Sequence, residues 1–464
     1  MNRFLIYILG VSLIINLAVA VFNYNHESRF IDPDSNDYIE LADSLALFHG
    51  YTKDGQTEIF RAPGYSFFLA PFRYLFPDTL FPVVIIQCLL NAGSILILWY
   101  LTLSLARGNL VVAKIAVTFQ AISLSSIVYT NKVLTETLFT FLLMLFLFLV
   151  DKMVKEMILQ KDSASPENNK KNKMIYITSF AAGFTAGCLT LVRAIFLPLF
   201  PLFLIFIWLQ GASSIREKRS SKVYKLILVM LLPYFLAIGG WSLRNSLTAG
   251  YNGFSSVGSI NIYRYYACAL LAHQKGISFA EQQGICDANL AAAGTEVEQA
   301  KYSLKHGIPV LTSSPLTYLF LHLKTDMNTL LPAVGDFYAL AGKNIGGKGT
   351  LGVINSRGIL AGVKHYFAGN WSLFILALPL ISLLLIKYIS AAVGGGKKLF
   401  TKQLNYTAIL YIALILYMII IPGAVSHPRF RVPVEPLLSM FAALGLYTIF
   451  QFFKKVTHSK KSKG

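Results

Sequence analysis

Leu80-Phe-Pro-Val-Val-Ile-Ile-Gln-Cys-Leu-Leu90 runs straight into Asn91-Ala-Gly-Ser-Ile-Leu-Ile-Leu-Trp-Tyr-Leu-Thr-Leu-Ser-Leu-Ala106 without a charged residue. As a helix rising about 1.5 Å per residue, this run is long enough to cross the ~30 Å hydrocarbon core of a bilayer. Comparable runs recur along the chain: Met1–Phe22, Val111–Tyr129, Val133–Val150, Met174–Leu191, Ala194–Leu209, Lys225–Leu243, Trp371–Ile389, Tyr406–Ile421 and Val432–Phe453. The expected fold class is an all-α polytopic membrane protein with about ten transmembrane helices.

Composition agrees. Of 464 residues 55% are hydrophobic and 14% charged, with mean hydropathy +0.58, whereas soluble domains carry about a quarter charged residues. A net charge of +19 could suggest nucleic acid. The basic residues, however, gather in Asp151–Lys173, around Arg216, Lys218 and Arg219, in Lys397–Lys402 and in the Lys454–Lys463 tail. Alternation from a cytoplasmic N-terminus puts all of these inside, as the positive-inside rule requires, with the C-terminus cytoplasmic too. No nucleic-acid partner is expected. Ala18-Val-Ala20 resembles a signal-peptidase site, but the run exceeds a typical h-region, so a retained first span is expected.

This topology divides the chain into an N-terminal transmembrane module (1–243, with an outer loop 23–79), an extracytoplasmic loop region (244–370) and C-terminal transmembrane helices with a basic tail (371–464). Ser163-Ala-Ser-Pro-Glu-Asn-Asn-Lys-Lys171 reads as a flexible cytoplasmic linker, Gly342–Gly352 as a mobile stretch, and Pro315–Leu331 as helical.

The outer loop is rich in acid: Ile31-Asp-Pro-Asp-Ser-Asn-Asp-Tyr-Ile-Glu-Leu-Ala42, then Phe60-Arg-Ala-Pro-Gly-Tyr-Ser-Phe-Phe-Leu-Ala-Pro-Phe72. Asp34, Tyr38, Leu41 and Leu45 fall at helical spacing, which predicts an amphipathic interfacial helix. Asp34 could be its N-cap, with Asp37 in the capping-box position; alternatively Asp34 accepts a proton from an attacking hydroxyl. Glu136, opening a span, is either a favourable charge on a helix N-terminus or a second acid at the same surface.

Arg61, Arg193, Arg244, Arg429 and Arg431 all map to the outer side, where the charge rule disfavours them. Each could snorkel to headgroups. As a set they fit a lipid-linked phosphate, which guanidinium groups grip bidentately. His427 adjoins two of them, and neither it nor His273 has metal-ligand spacing; no HExxH, CxxC, P-loop or GxGxxG element supports a metal or nucleotide. Cys88 and Cys188 fall inside apolar runs, and Cys268 and Cys286 lie in the large loop, where either a disulfide or two free thiols would fit.

Asp34-Ser-Asn-Asp-Tyr-Ile-Glu-Leu-Ala42, Arg61-Ala-Pro-Gly-Tyr-Ser-Phe-Phe-Leu-Ala70, Leu134-Thr-Glu-Thr-Leu-Phe139, Leu191-Val-Arg193, Trp241-Ser-Leu-Arg-Asn245 and His427-Pro-Arg-Phe-Arg-Val-Pro433 form an ordered series. With it the chain resembles bacterial integral-membrane glycosyltransferases of the C superfamily, similar to protein O-mannosyltransferases and the lipid A aminoarabinose transferase. The resemblance implies a polyprenyl-phosphate sugar donor, such as an undecaprenyl phosphate sugar, used at the periplasmic face of the bacterial inner membrane. It implies inverting transfer to a glycan, lipid or protein acceptor in the cell envelope, with no cofactor required. The family's catalytic aspartate falls on Asp34, its basic phosphate-holding residue on Arg61 and its second acidic position on Glu136. Arg193, Arg244, Arg429 and Arg431 follow as donor ligands, with Asp37, Tyr38, Tyr65 and His427 in support. Two alternatives stay open: a transporter or flippase, and a ligase or polymerase, of lipid-linked glycans.

Overall fold

In a computed structural model, residues 2–159, 166–213, 220–343, 345, 350, 353, 357–367, 369–400 and 405–461 are described. Helix α1 (Arg3–Phe22) leads into a first loop made of a 3₁₀ turn (Tyr24–Phe30), α2 (Pro33–Ala46), a hairpin of β1 (Thr52–Lys53) with β2 (Gln56–Thr57), and α3 (Gly64–Leu75). Then come α4 (Phe81–Leu105), α5 (Leu110–Ala121), α6 (Leu124–Thr130), α7 (Thr135–Leu159), α8 (Pro166–Val192), α9 (Phe200–Ser213) and α10 (Ser220–Ala249). The long loop folds as α11 (Val257–Asn261), α12 (Cys268–Lys275), α13 (Phe279–Ala292), α14 (Glu296–Ser313), α15 (Pro315–Asp326), α16 (Val334–Leu340) and α17 (Ile359–Tyr366). The chain returns through α18 (Trp371–Leu399), α19 (Tyr406–Ile420) and α20 (Glu435–Lys461).

Among the described residues, eight helices are long and apolar enough to cross a membrane. The expected span over Val111–Tyr129 is instead the pair α5 and α6, bent by 50°, and α19 is a shorter apolar helix of 15 residues. Asparagine starts several of these helices. The side chains of Asn2, Asn109, Asn370 and Asn405 accept amide hydrogens of the first turns of α1, α5, α18 and α19, which would otherwise lack partners in a waterless slab.

Some expectations about linkers change. Residues 163–165 lie outside the described residues, but from Pro166 the supposed linker is already helix α8. Arg216, Lys218, Arg219, Lys402 and much of the glycine-rich stretch around 344–352 also lie outside them.

The outside of the bundle is apolar, as lipid requires: Leu228, Leu232, Phe235, Leu236 and Leu243 form an exposed stripe on α10. Inside, small residues allow backbones to meet. A Cβ on Gly445 of α20 would overlap the Ser390 carbonyl of α18, and one on Gly394 of α18 the Phe441 carbonyl of α20. A separate cluster of Ile260, Tyr263, Ala267, Cys268, Cys286, Leu290 and Ala300 forms the core of the long loop. Cys268 and Cys286 are both buried there as free thiols, which is the second of the two arrangements their sequence context allows.

Gly445→Val is expected to destabilise the fold by about 1–3 kcal/mol through overpacking at the α18–α20 crossing. Gly239→Ala, where an added Cβ meets open space, should leave the melting temperature in detergent unchanged; scanning fluorimetry of both variants makes the comparison.

Candidate active site

The first loop positions the acids. Asp32, not Asp34, is the N-cap of α2, and its amide donates to Ser35 Oγ at 2.9 Å. Pro33 occupies the first helical position, where a missing N–H costs nothing. The capping expectation for Asp34 and Asp37 is thereby corrected: both carboxylates are free of helix capping and turn towards cations. Asp34 Oδ1 lies 2.8 Å from Arg61 Nη2, and its Oδ2 lies 2.6 Å from Arg429 Nη2. Asp37 Oδ2 accepts from Arg61 Nε at 3.0 Å and Nη2 at 2.7 Å, while its Oδ1 meets Lys53 Nζ at 2.5 Å.

Arg61 is held from several sides. Its amide donates to Glu58 Oε1 at 2.7 Å, and its guanidinium stands 5.2 Å from the Tyr38 ring. Tyr38 packs edge-on to Tyr65 at 5.2 Å, and the buried Tyr65 hydroxyl donates to Gln87 Oε1 at 2.8 Å. Gln87 in turn donates to the Thr130 and Lys132 carbonyls, and Lys132 Nζ reaches Asp32 Oδ1 at 2.8 Å. The glycine of Arg61-Ala-Pro-Gly64 has a steric reason: a Cβ there would lie 2.7 Å from the backbone of Leu191 and Val192. That close approach brings the start of α3 against the end of α8, immediately before Arg193.

Arg193 Nη1 pairs with Glu136 Oε1 at 3.1 Å, and its guanidinium stands 5.3 Å from the Phe430 ring. Arg429 stands 5.1 Å from the same ring. Arg61, Arg193 and Arg429, from three distant parts of the chain, therefore meet around Asp34, Glu136 and Phe430. His427 borders them, with Nδ1 3.3 Å from the Tyr129 hydroxyl, which itself donates to Asp336 Oδ2 at 2.6 Å.

Two of the expected arginines do other work. Arg244 donates to the carbonyls of Glu58 and Tyr51, each at 2.7 Å, and lies over Trp241 at 4.8 Å. It fixes the segment that carries Arg61. Arg431 is fully buried, with Nε 2.6 Å from Glu435 Oε1 and Nη2 2.9 Å from Ser125 Oγ. Lys387 meets the other oxygen of Glu435, so this cluster is a buried ion network inside the bundle.

Electrostatics follow the geometry. Burial alone would raise the Asp34 carboxyl, but the charges of Arg429 and Arg61 outweigh it and hold the group at about 2. Asp37 is also lowered: its burial is outweighed by hydrogen bonds from Lys53 and Arg61. Glu58, by contrast, is raised by burial. Among the described residues no group of three or more His, Cys, Asp or Glu side chains could hold a metal ion.

Lys53, Lys132, Glu58, Tyr129 and Asp336 join the site in addition to the residues expected from the sequence. Lys132 carried the same signal as the arginines, a cation on the side where the charge rule disfavours it. Tyr129 and Asp336 carried none, since their proximity is purely tertiary.

Ionised Asp34 stabilises the fold at neutral pH, because its folded pKa lies below that of an unfolded aspartate; the contribution fades as pH falls through about 2. Asp34→Asn should thus lower the melting temperature at pH 7, and the gap to the parent should close only below about pH 4. Glu435→Gln leaves Lys387 and Arg431 without their anion and is expected to cost about 3–5 kcal/mol, read as loss of monodisperse protein on size exclusion.

No protein-family model matches the chain, and no curated protein matches it. Solved structures do. The apo oligosaccharyltransferase of Archaeoglobus fulgidus superposes with a TM-score of 0.54 at 13% identity, over 100% of this chain and 52% of that one. AglB of the same organism, in complex with an inhibitory peptide and a dolichol-phosphate, gives 0.53 at 13% identity over 99% and 52%. ArnT of Cupriavidus metallidurans bound to undecaprenyl phosphate gives 0.39 at 14% identity, over 94% and 77%. This chain spans about half the length of the oligosaccharyltransferase it matches. At this identity the likeness is one of fold: the chain shares the helical membrane architecture of these oligosaccharyltransferase structures.

Proposed function

We propose that the protein is an inverting glycosyltransferase that moves a sugar from a polyprenyl-phosphate donor to an acceptor hydroxyl or phosphate. The observation that carries this reading is the single carboxylate of Asp34 bridging Arg61 and Arg429, with Arg193 beside them. A carboxylate between guanidinium groups at the membrane boundary combines a base with a phosphate clamp. The oligosaccharyltransferase fold supports the same class, and a dolichol-phosphate bound to AglB makes a lipid phosphate the donor chemistry to test first. The basic segments on the opposite side of the membrane support an extracytoplasmic site.

In the reaction, the acceptor oxygen bonds to the anomeric carbon while the bond from that carbon to the phosphate oxygen breaks. The electron pair leaves on the polyprenyl phosphate, and the acceptor's proton passes to Asp34. Arg61 and Arg429 stabilise the charge growing on the phosphate, in a site with little water. Arg193, tied to Glu136, adds a third cation. Arg244 and Tyr65 act on placement, through the backbone beside Arg61 and through Tyr38. With its pKa at about 2, Asp34 is a poor base while both arginines hold it. A phosphate that draws those guanidinium groups to itself frees the carboxylate, so donor binding raises its basicity at the moment it is needed.

The test uses purified protein in nanodiscs with a panel of polyprenyl-monophosphate sugars. Asp34→Asn and Arg61→Ala should each reduce transfer by about 100-fold or more. Binding of polyprenyl phosphate should separate their roles. Arg61→Ala and Arg429→Ala should weaken it about tenfold, whereas Asp34→Asn should tighten it, because the competing anion is gone. Protein that ignores every monophosphate donor but carries lipid-linked glycan between leaflets would be a transporter instead.

A further inference from the structure

Helix α15 is amphipathic the wrong way round for a protein in water. Leu316, Leu319, Phe320, Leu323 and, in the following turn, Met327 lie along one face and are 81%, 51%, 65%, 46% and 59% exposed. Tyr318, His322 and Asp326 face inward. The Tyr318 hydroxyl lies 2.9 Å from His322 Nδ1, and His322 Nε2 donates to the Ile420 carbonyl at 2.7 Å. Asp326 is buried, and its Oδ1 accepts from the Gly423 amide and the Ser426 hydroxyl, both at 2.8 Å.

What lies against the apolar face follows from the helix on which α15 sits. With 15 residues, α19 reaches only about 22 Å, some way short of the ~30 Å hydrocarbon core. Its outward residues Leu416 and Ile420, and Ile421 just beyond its end, are exposed apolar side chains, and α15 packs at that same end. The stripe on α15 therefore continues the lipid-facing surface of α19 where α19 stops.

We propose that α15 is seated in the bilayer leaflet on the site's side, with Leu316, Leu319, Phe320, Leu323 and Met327 among acyl chains. It thereby completes the apolar belt that α19 leaves short. The occupant of this face is lipid hydrocarbon, because the face adjoins a membrane-facing surface and carries a single charged residue, Lys324, at its edge. The seat has a mechanical consequence. Asp326 and His322 clip the 420–426 turn, and Arg429, the partner of Asp34, follows that turn directly. The leaflet thus sets the height of Arg429 above the membrane, which makes Asp326 and His322 positioning residues.

The experiment labels Leu316→Cys, Phe320→Cys and Leu323→Cys with bimane in the full-length protein in nanodiscs. Lys305→Cys on α14, an exposed polar position, serves as the aqueous control, and the unsubstituted chain corrects for native thiols. Lipids brominated along their acyl chains should quench most of the emission at 316, 320 and 323 and little at 305, with iodide in the buffer giving the reverse order. Equal iodide quenching at all positions would overturn the proposal in favour of a water-exposed face. Disulfide cross-linking between Phe320→Cys chains, with loss of bromolipid quenching, would overturn it in favour of a second copy. Neither readout requires transfer activity, so the result stands apart from the proposed chemistry.

Discussion

An ion deprived of water must find an opposite charge, and this constraint shapes the structure more than any other. The chain places carboxylates and cations at or within the membrane boundary and satisfies them in pairs drawn from remote segments. Asp34 binds Arg61 and Arg429, Glu136 binds Arg193, Asp32 binds Lys132, and Glu435 binds Arg431 and Lys387. Each pair fixes two elements that the apolar surfaces alone would leave free to slide, since lipid is as apolar as the helices themselves.

These pairs differ in what they leave available. The Glu435 cluster is sealed among α18, α20 and the α5–α6 bend, with serine hydroxyls and carbonyls completing its hydrogen bonds. Its cations are committed to the architecture. The arginines around Asp34 keep some exposure, 17% for the side chain of Arg61 and 23% for that of Arg429. A ligand can reach them and can compete with a carboxylate for them. Burial, rather than residue type, separates the arginines committed to the fold from those left accessible.

Fold class was legible in the sequence because hydrocarbon thickness imposes a length on every span, and the apolar runs met it. Asp34, Arg61, Arg193 and Arg429 stood out because they broke the charge rule or clustered in one loop, and the structure brings them together. Arg431 broke the same rule, yet it turns inward to Glu435, four residues on; a charge count along the chain does not distinguish a buried partner from a ligand. The bend between α5 and α6 was hidden for a related reason. Gln120, Ser123 and Ser125 look like ordinary polar residues within an apolar run, and their role as partners to Glu435, Arg431 and Ser439 exists only in three dimensions. The signal for Asp32 as the N-cap is Pro33, which suits the first helical position and so fixes where α2 starts.

The pairing of Asp34 with Arg429 also orders events in time. Asp34 emerges from the ribosome with the first loop, whereas Arg429 emerges much later, just before α20. Before Arg429 is synthesised, the ion-pair partners described for Asp34 and Asp37 are Arg61 and Lys53, both from the same loop. A chain cut before Arg429 would carry Asp34 with one of its two arginines. The carboxylate of Asp34 is thus bridged from both sides only once the segment leading into α20 has been made.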